Sequence, residues 1–234
     1  MKIHDEGFFL YSKTFGEKSK ILYILSKDYG LIKGLSKSFK NKNYNLINLD
    51  KIQFTWSSRN QNSLGYLNYE HEKYNMSNDS FFTIVKAAAS ELCMKFLPLW
   101  EQNTAIYREI NNLSILKYDS NSYLIGKYVE WEINFLKHLG YGLNINKCCV
   151  TGEFNNTYFI SPKTGNAVNF EIGKKYAKNL FKIPKCMKEN FKKNKYNDYK
   201  EALKITGYFF LKILENNKFK FIFRNQIINK LEGL

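Results

Sequence analysis

The chain has 234 residues, 44% hydrophobic and 17% aromatic, enough for a sizeable core in one large domain or two small ones. Its 36 Lys and Arg against 21 Asp and Glu give a formal net charge of +15, spread unevenly: 12 basic and 7 acidic side chains in residues 1–78, 8 and 9 in 79–172, and 16 and 5 in 173–234. This excludes a disordered chain, no run is long and apolar enough for a membrane span, and two basic ends around a neutral middle suit a polyanionic partner. Codon bias towards lysine would not explain why the acidic residues fail to keep pace, nor why the middle is neutral. Asp5 and Glu6 interrupt any signal-peptide core near the N-terminus, which points to the cytoplasm.

From the N-terminus, three apolar runs, Phe8–Tyr11, Ile21–Leu25 and Leu31–Leu35, read as strands separated by turns around Gly16 and at Lys27–Gly30. A polar stretch, Ser36–Asp50, is long enough for a short helix or an ordered loop. Ile52–Trp56 and Leu64–Glu70 then read as two more strands across a polar turn. Five short strands with the long connection after the third predict an OB-fold barrel of about 75 residues. An SH3-like barrel also has five strands, but its long connection usually falls elsewhere. Near residue 78 the period changes. Asn78, Asp79 and Ser80 offer N-caps for a helix carrying Phe81, Ile84, Val85, Ala88, Leu92 and Phe96 on one face, ending before Pro98. Further helices are expected over Trp100–Leu116, from about Tyr123 to Leu139, over Asp198–Leu214 and over Phe219–Leu231. Between them, Thr157–Ser161 and Ala167–Phe170 predict a hairpin closed by Pro162–Gly165. The fold class is therefore α+β: an OB-fold nucleic-acid-binding domain over 1–78, then an α-helical domain over 79–234 with a small hairpin insert at about 146–172.

Catalysis has little to stand on. His4, His71 and His138 are isolated, no phosphate-cradling Gly-rich loop or nucleophile motif is present, and Glu130 and Glu132 lie two apart on a helix, on different faces. The expectation is a binding protein and not an enzyme, with no cofactor. A structural zinc needs two thiolate pairs. Cys148 and Cys149 are adjacent where a Cys-x-x-Cys knuckle is required, and Ser161–Gly165, where the second pair should fall, has neither Cys nor His. No metal is expected. Nucleic-acid contacts are assigned to Lys13, Lys18, Lys20, Lys33, Lys37, Lys40, Lys42 and Arg59, with a secondary basic patch at Lys174, Lys175, Lys178, Lys182 and Lys185. Phe15, Tyr29, Phe39, Tyr44 and Trp56 are the aromatic candidates for stacking on bases; Trp56, ending an alternating strand, reads as core, and Phe39 and Tyr44 as the more exposed.

The order of local motifs resembles that of the RecO family of recombination mediators. The chain shows an Asp-Glu-Gly opening (Asp5–Gly7), a Gly-Glu-Lys-Ser turn (Gly16–Ser19), a Tyr-Gly-Leu-x-x-Gly turn (Tyr29–Gly34) and a lysine-rich loop. Leu-Gly-Tyr-Gly-Leu-Asn (Leu139–Asn144) follows the Tyr128–Phe135 helical stretch and leads into the Cys148–Gly152 unit. Tyr158–Val168, and Pro184 after Gly173–Tyr176, resemble alphaproteobacterial members. The resemblance covers essentially the whole chain. It implies an OB domain, a helical domain with a zinc-finger-like unit, and binding of single- and double-stranded DNA. It also implies annealing of complementary strands, and partnership with RecR and the C-terminal tail of single-strand-binding protein in loading RecA onto gapped DNA. The tail's pocket is expected in the helical domain. Many members carry four cysteines in the finger; this chain does not. An OB-fold RNA-binding protein, such as an RNA chaperone or ribosome-associated factor, is the alternative, and a metal-dependent nuclease is disfavoured by the sparse carboxylates.

Overall fold

The computed structural model describes residues 1–37, 46–71, 79–154, 156–188, 196–216 and 218–232. They belong to two compact units, Met1–Leu116 with Phe221–Arg224, and Lys117–Lys220 with Asn225–Leu234.

In the first unit, strands β1 (Lys2–Phe15), β2 (Ser19–Ser26), β3 (Gly30–Lys37), β4 (Lys51–Ser57) and β5 (Gly65–His71) close into a barrel in the order β1-β2-β3-β5-β4. Alternation dictates the core. Ile3, Phe9, Leu22, Ile24, Ile32, Ile52, Phe54, Trp56 and Leu67 point inward and pack together. Closure depends on the short parallel contact between β3 and β5, where Gly34 faces Gly65. Trp56 fills the space beneath it, and a Cβ on Gly34 or Gly65 would lie 2.9 or 2.3 Å from its ring. The fully buried indole donates its N–H to the Lys33 carbonyl at 2.9 Å, so its polar atom is satisfied.

Helix α1 (Ser80–Phe96) starts at Asp79, whose carboxylate accepts from the amides of Phe81 and Phe82 at 2.7 and 3.2 Å. It stops before Pro98, which disfavours helical backbone at Leu97. Helix α2 spans Thr104–Ser114, shorter than the expected Trp100–Leu116. Its first residues are diverted: Leu99 bridges to Leu31, the Trp100 amide donates to the Leu31 carbonyl at 2.9 Å, and Trp100, with φ of 63°, sets its ring edge-on to Trp56 at 4.7 Å. Helix formation resumes at the Asn103 cap. The barrel therefore closes within residues 1–71, and α1 and α2 join it in one larger compact unit. The last helix (Ile222–Glu232) starts three residues later than the expected Phe219, because the Glu91 carboxylate of α1 accepts from the amides of Ile222, Phe223 and Arg224 at 2.6, 3.1 and 3.3 Å and fixes the first turn there.

In the second unit, α3 (Asn121–His138) and the long helix Tyr196–Ile213 pack face to face. The buried Glu132 carboxylate accepts from the Thr206 hydroxyl, while Glu130 pairs with Lys127 at 2.7 Å on the surface, as their spacing requires. Strands β6 (Asn144–Cys148), β7 (Thr157–Ile160), β8 (Asn166–Asn169) and β9 (Phe181–Lys182) form a small sheet in the order β6-β8-β7-β9. The β7–β8 hairpin falls where its sequence places it. The unit is wider than 146–172, since β6 starts at Asn144 and β9 adds a fourth strand. Helix α4 (Phe170–Gly173) and a 3₁₀ turn (Lys174–Asn179) link β8 to β9, and α5 (Lys185–Lys188) follows.

Candidate nucleic-acid interface

The barrel register sorts its outer side chains into two unlike faces. On the first, three cross-strand rows run outward: Tyr11–Tyr23–Lys33, Lys13–Ile21–Leu35 and Phe15–Ser19–Lys37. Tyr66 extends the middle row beside Leu35. Tyr11, Phe15 and Tyr66 are 51, 52 and 58% exposed, a cost in exposed apolar area that a plain solvated sheet face would avoid. Tyr11 and Tyr23 lie 6.1 Å apart, ring to ring. Lys13, Lys33 and Lys37 form no ion pair with another described residue and stand among these rings. Aromatic faces for bases interleaved with cations for phosphates are what a single strand requires.

The loops at the edge of this face carry two more of the expected cations. Lys18 lies in the β1–β2 turn and Arg59 in the β4–β5 loop, both exposed. In OB barrels the face of strands two and three and these two loops bind oligonucleotides. Lys20 does not join the rows: it shares the parity of inward Leu22 and Ile24 and is exposed near the open end of the barrel. Lys40, Lys42, Phe39 and Tyr44 lie outside the described residues. Trp56 is core, as its alternating strand requires, and Tyr29 is half-buried against the barrel core.

The second face is acidic. Rows His4–Thr55–Asn68 and Glu6–Gln53–Glu70, with Asp5, Lys27 and Tyr69, line an open groove of about 680 Å³. Burial raises the Glu6 carboxyl, but hydrogen bonds and charge from Lys51 and Lys27, at 3.0 and 3.2 Å, outweigh it and hold the group below the usual carboxylate range. Glu6 is therefore charged at neutral pH, Asp5 and Glu70 lie beside it, and this face disfavours phosphate. Strand β1 thus carries opposite charge on its two halves, Asp5 and Glu6 in the first and Lys13 in the second.

In the second unit, Lys174, Lys175 and Lys178 lie on the 3₁₀ turn, Lys182 on β9 and Lys185 at the start of α5, all exposed. Lys174 is held by Glu171. Lys182 sets its ammonium 5.1 Å from the centre of the Tyr158 ring.

The finger residues do not fit a structural zinc. In a Cys-x-x-Cys knuckle beginning at Cys148 the second ligand position is Thr151. Burial raises the Cys148 thiol, but the hydroxyl and amide of Thr151 and the amides of Val150 and Asn169 outweigh it and bring it down to about 7. The Asn169 amide donates to Cys148 Sγ at 3.4 Å. The donors of the turn itself thus hold the sulfur, and Cys148 is the one thiol of this knuckle. In the second turn the Ser161 carbonyl accepts from the amides of Thr164 and Gly165 at 3.3 and 2.8 Å, and Lys212 Nζ donates to the Pro162 and Lys163 carbonyls at 3.0 and 2.6 Å, so the turn closes without a thiolate. Among the described residues no three His, Cys, Asp or Glu side chains converge as a metal site. Elemental analysis of the purified protein is expected to find no stoichiometric zinc, and chelator to leave its melting temperature unchanged. One zinc per chain, lost in a Cys148→Ser, Cys149→Ser variant, would refute this.

No helix of the described residues is long and apolar enough to cross a membrane. Comparison with known proteins agrees with the barrel-then-helix order. The family model described as "Recombination protein O N terminal" matches residues 1–71, and "Recombination protein O C terminal" matches 79–220. The chain is 31% identical to "DNA repair protein RecO" of Ehrlichia chaffeensis, with 99% of each chain covered. It is 31% identical to that of Wolbachia pipientis wMel over 92% of each, and 27% to that of Rickettsia typhi over the full length of both. A basic, aromatic barrel face, a helical second unit with a small sheet, and these matches along the whole chain lead to one conclusion: the chain belongs to the RecO family of DNA repair proteins.

Proposed function

We propose that this chain is a recombination mediator that acts by binding, not by catalysis. It holds single- and double-stranded DNA, anneals complementary strands and helps load RecA onto gaps coated with single-strand-binding protein. RecR and the C-terminal tail of single-strand-binding protein are its proposed protein partners, and the bacterial nucleoid its proposed place of work. The observation that carries the DNA reading is the outer face of β1, β2 and β3, where Lys13, Lys33 and Lys37 stand in register with Tyr11, Tyr23 and Phe15. Lysine neutralises phosphate and releases counterions; the rings offer stacking surface to unpaired bases without selecting a sequence. The proposed site adds Lys18 and Arg59 from the flanking loops, and Lys20, Lys40 and Lys42 from the same end of the sequence.

Annealing of two complementary DNA strands, with no nucleotide or divalent ion added, tests the reading directly. Acceleration by the protein is expected. Tighter binding to RNA than to DNA of the same sequence, without annealing, would favour the OB-fold RNA-binding alternative, and degradation dependent on a divalent ion would make it a nuclease. A second measurement is the salt dependence. Five cations on the face and its loops, each giving about −0.7 for single strands, predict a log–log slope near −3.5. A slope near zero would mean that phosphate contacts do not drive binding.

A further inference from the structure

The small sheet of the second unit carries an aromatic cluster that the DNA reading of the barrel leaves unused. Phe170, the first residue of α4, is 44% exposed, and Tyr176, six residues on in the 3₁₀ turn, is 60% exposed. The Tyr158 ring meets Phe170 edge-on at 5.1 Å and Phe159 at 4.8 Å, and Phe159 lies nearly parallel to Phe170 at 6.4 Å. The floor is rigid. Phe159 is buried, and its ring lies where a Cβ on Gly173 would sit, at 2.3 Å, so α4 is clamped onto β7. The Asn169 side chain fixes the start of α4 by accepting from the Ile172 amide at 3.0 Å. Around this platform the charge is mostly positive: Ile172–Lys188 holds six lysines and no acidic residue, and the neighbouring Glu171 is paired with Lys174. Lys175 and Lys178 pair with no described residue, and Lys182 already lies over Tyr158.

We propose that this cluster is a second single-strand site, in which Phe170 and Tyr176 stack unpaired bases while Lys175, Lys178 and Lys182 hold the phosphates. The inference rests on the reading of the chain as a DNA-binding protein and adds a site to it. Phe170, on a clamped element, accepts a base at little entropic cost, the exposed Tyr176 ring of the following turn offers a second stacking face, and a cation already poised over Tyr158 fits the backbone beside a stacked base. A chain with two strand sites can hold one strand while capturing another, which raises the concentration of each about the other.

The test uses the full chain bound to an immobilised oligonucleotide and measures capture of a second, non-complementary, labelled strand. Wild type is expected to capture it. A Phe170→Ala, Tyr176→Ala variant should lose about tenfold or more in capture while keeping its grip on the first strand through the barrel. Tyr176→Ala alone, at an exposed ring, should fold normally and lose part of the capture. An abasic second strand, which keeps the phosphates but lacks the rings' partners, should be captured by wild type as weakly as the normal strand is by the double variant. Equal capture of normal and abasic strands, or undiminished capture by both variants, would overturn the proposal. So would displacement of the second strand by a short Asp-rich peptide ending in an aromatic residue at lower concentration than by free single strand, which would make the platform a peptide site. A Lys13→Glu, Lys33→Glu, Lys37→Glu variant separates the two readings. Failure of the barrel reading shows as normal first-strand binding by that variant. Failure of the second site shows as normal capture by the ring variants while the barrel variant binds nothing.

Discussion

Reversing Lys13, Lys33 and Lys37 to glutamate is expected to collapse strand annealing while leaving the fold intact. The three ammonium groups stand in three adjacent register rows of one sheet face, and reversal changes its charge by six units within a few residues of Tyr11, Tyr23 and Phe15. Each lost contact to phosphate costs about 1 kcal/mol or more, so three cost about 3 kcal/mol, on the order of 100-fold in affinity, before repulsion is added. The slope of affinity against salt should become shallower by about two units, as three counterions at about 0.7 each are no longer released. Stability should change little. Lys13 and Lys37 are exposed and Lys33 half-buried, none has an ion-pair partner among the described residues, and such surface changes usually stay within about 0.5 kcal/mol each. Annealing rate, salt slope and thermal melt together decide the matter. Normal annealing with a normal melt would remove this face as the DNA path.

How much of this face the sequence discloses depends on the residue. The lysines are legible because charge needs no register: Lys13, Lys33 and Lys37 stand out beside apolar runs. The aromatics are not. In β1, simple alternation puts Phe9 and Tyr11 on one side, yet a bulge between them slips the pairing, so that Phe9 meets Ile24 in the core while Tyr11 meets Tyr23 outside. Phe8, Phe9 and Leu10 are buried in succession, Phe8 against the Tyr107 ring of α2 at 5.1 Å, and only Phe8–Tyr11 of a fourteen-residue strand is visible as an apolar run. Its N-terminal half hides behind His4, Asp5 and Glu6, all of which line the acidic groove, and the Asp5 carboxylate also accepts from the Ser26 hydroxyl and the Asp28 amide. Tyr66 is placed by a parallel contact between β3 and β5 that no local pattern encodes. The helices are more legible because caps and faces are local. Asp79 caps where expected, and Gly140, with φ of 86°, ends α3 through its own bond to the Lys137 carbonyl at 3.0 Å and that of Tyr141 to Leu136 at 2.9 Å. Helix α2 departs from expectation because tertiary contacts at Leu31 and Trp56 claim the residues that helical periodicity would have used.

The largest stability effect is expected at Gly30, and Gly16 supplies its control. Both sit in turns with the same left-handed backbone, φ of 70° and 64°. That conformation costs an L-residue about 1 kcal/mol, so alanine pays it at either position. The surroundings differ. A Cβ on Gly16 meets nothing within 4 Å, whereas one on Gly30 would lie 1.9 Å from the Glu101 carbonyl oxygen and 2.4 Å from its carbon. Those are backbone atoms and no rotamer change relieves them. The 99–101 segment would have to lift away from β3, breaking the Trp100–Leu31 hydrogen bond and drawing Trp100 off Trp56, the ring beneath the closure of the barrel. Overpacking of this kind adds about 1–3 kcal/mol to the conformational cost. Gly16→Ala is therefore expected to lose about 1 kcal/mol in denaturant unfolding, and Gly30→Ala about 2–4 kcal/mol. Tryptophan fluorescence should also change in the folded state of Gly30→Ala, as Trp100 shifts against Trp56. Equal losses in the two variants would show that the turn conformation alone, and not the closeness of the 99–101 segment to β3, sets the requirement for glycine. A larger loss at Gly30 with unchanged fluorescence would place the strain elsewhere than at the Trp100–Trp56 contact.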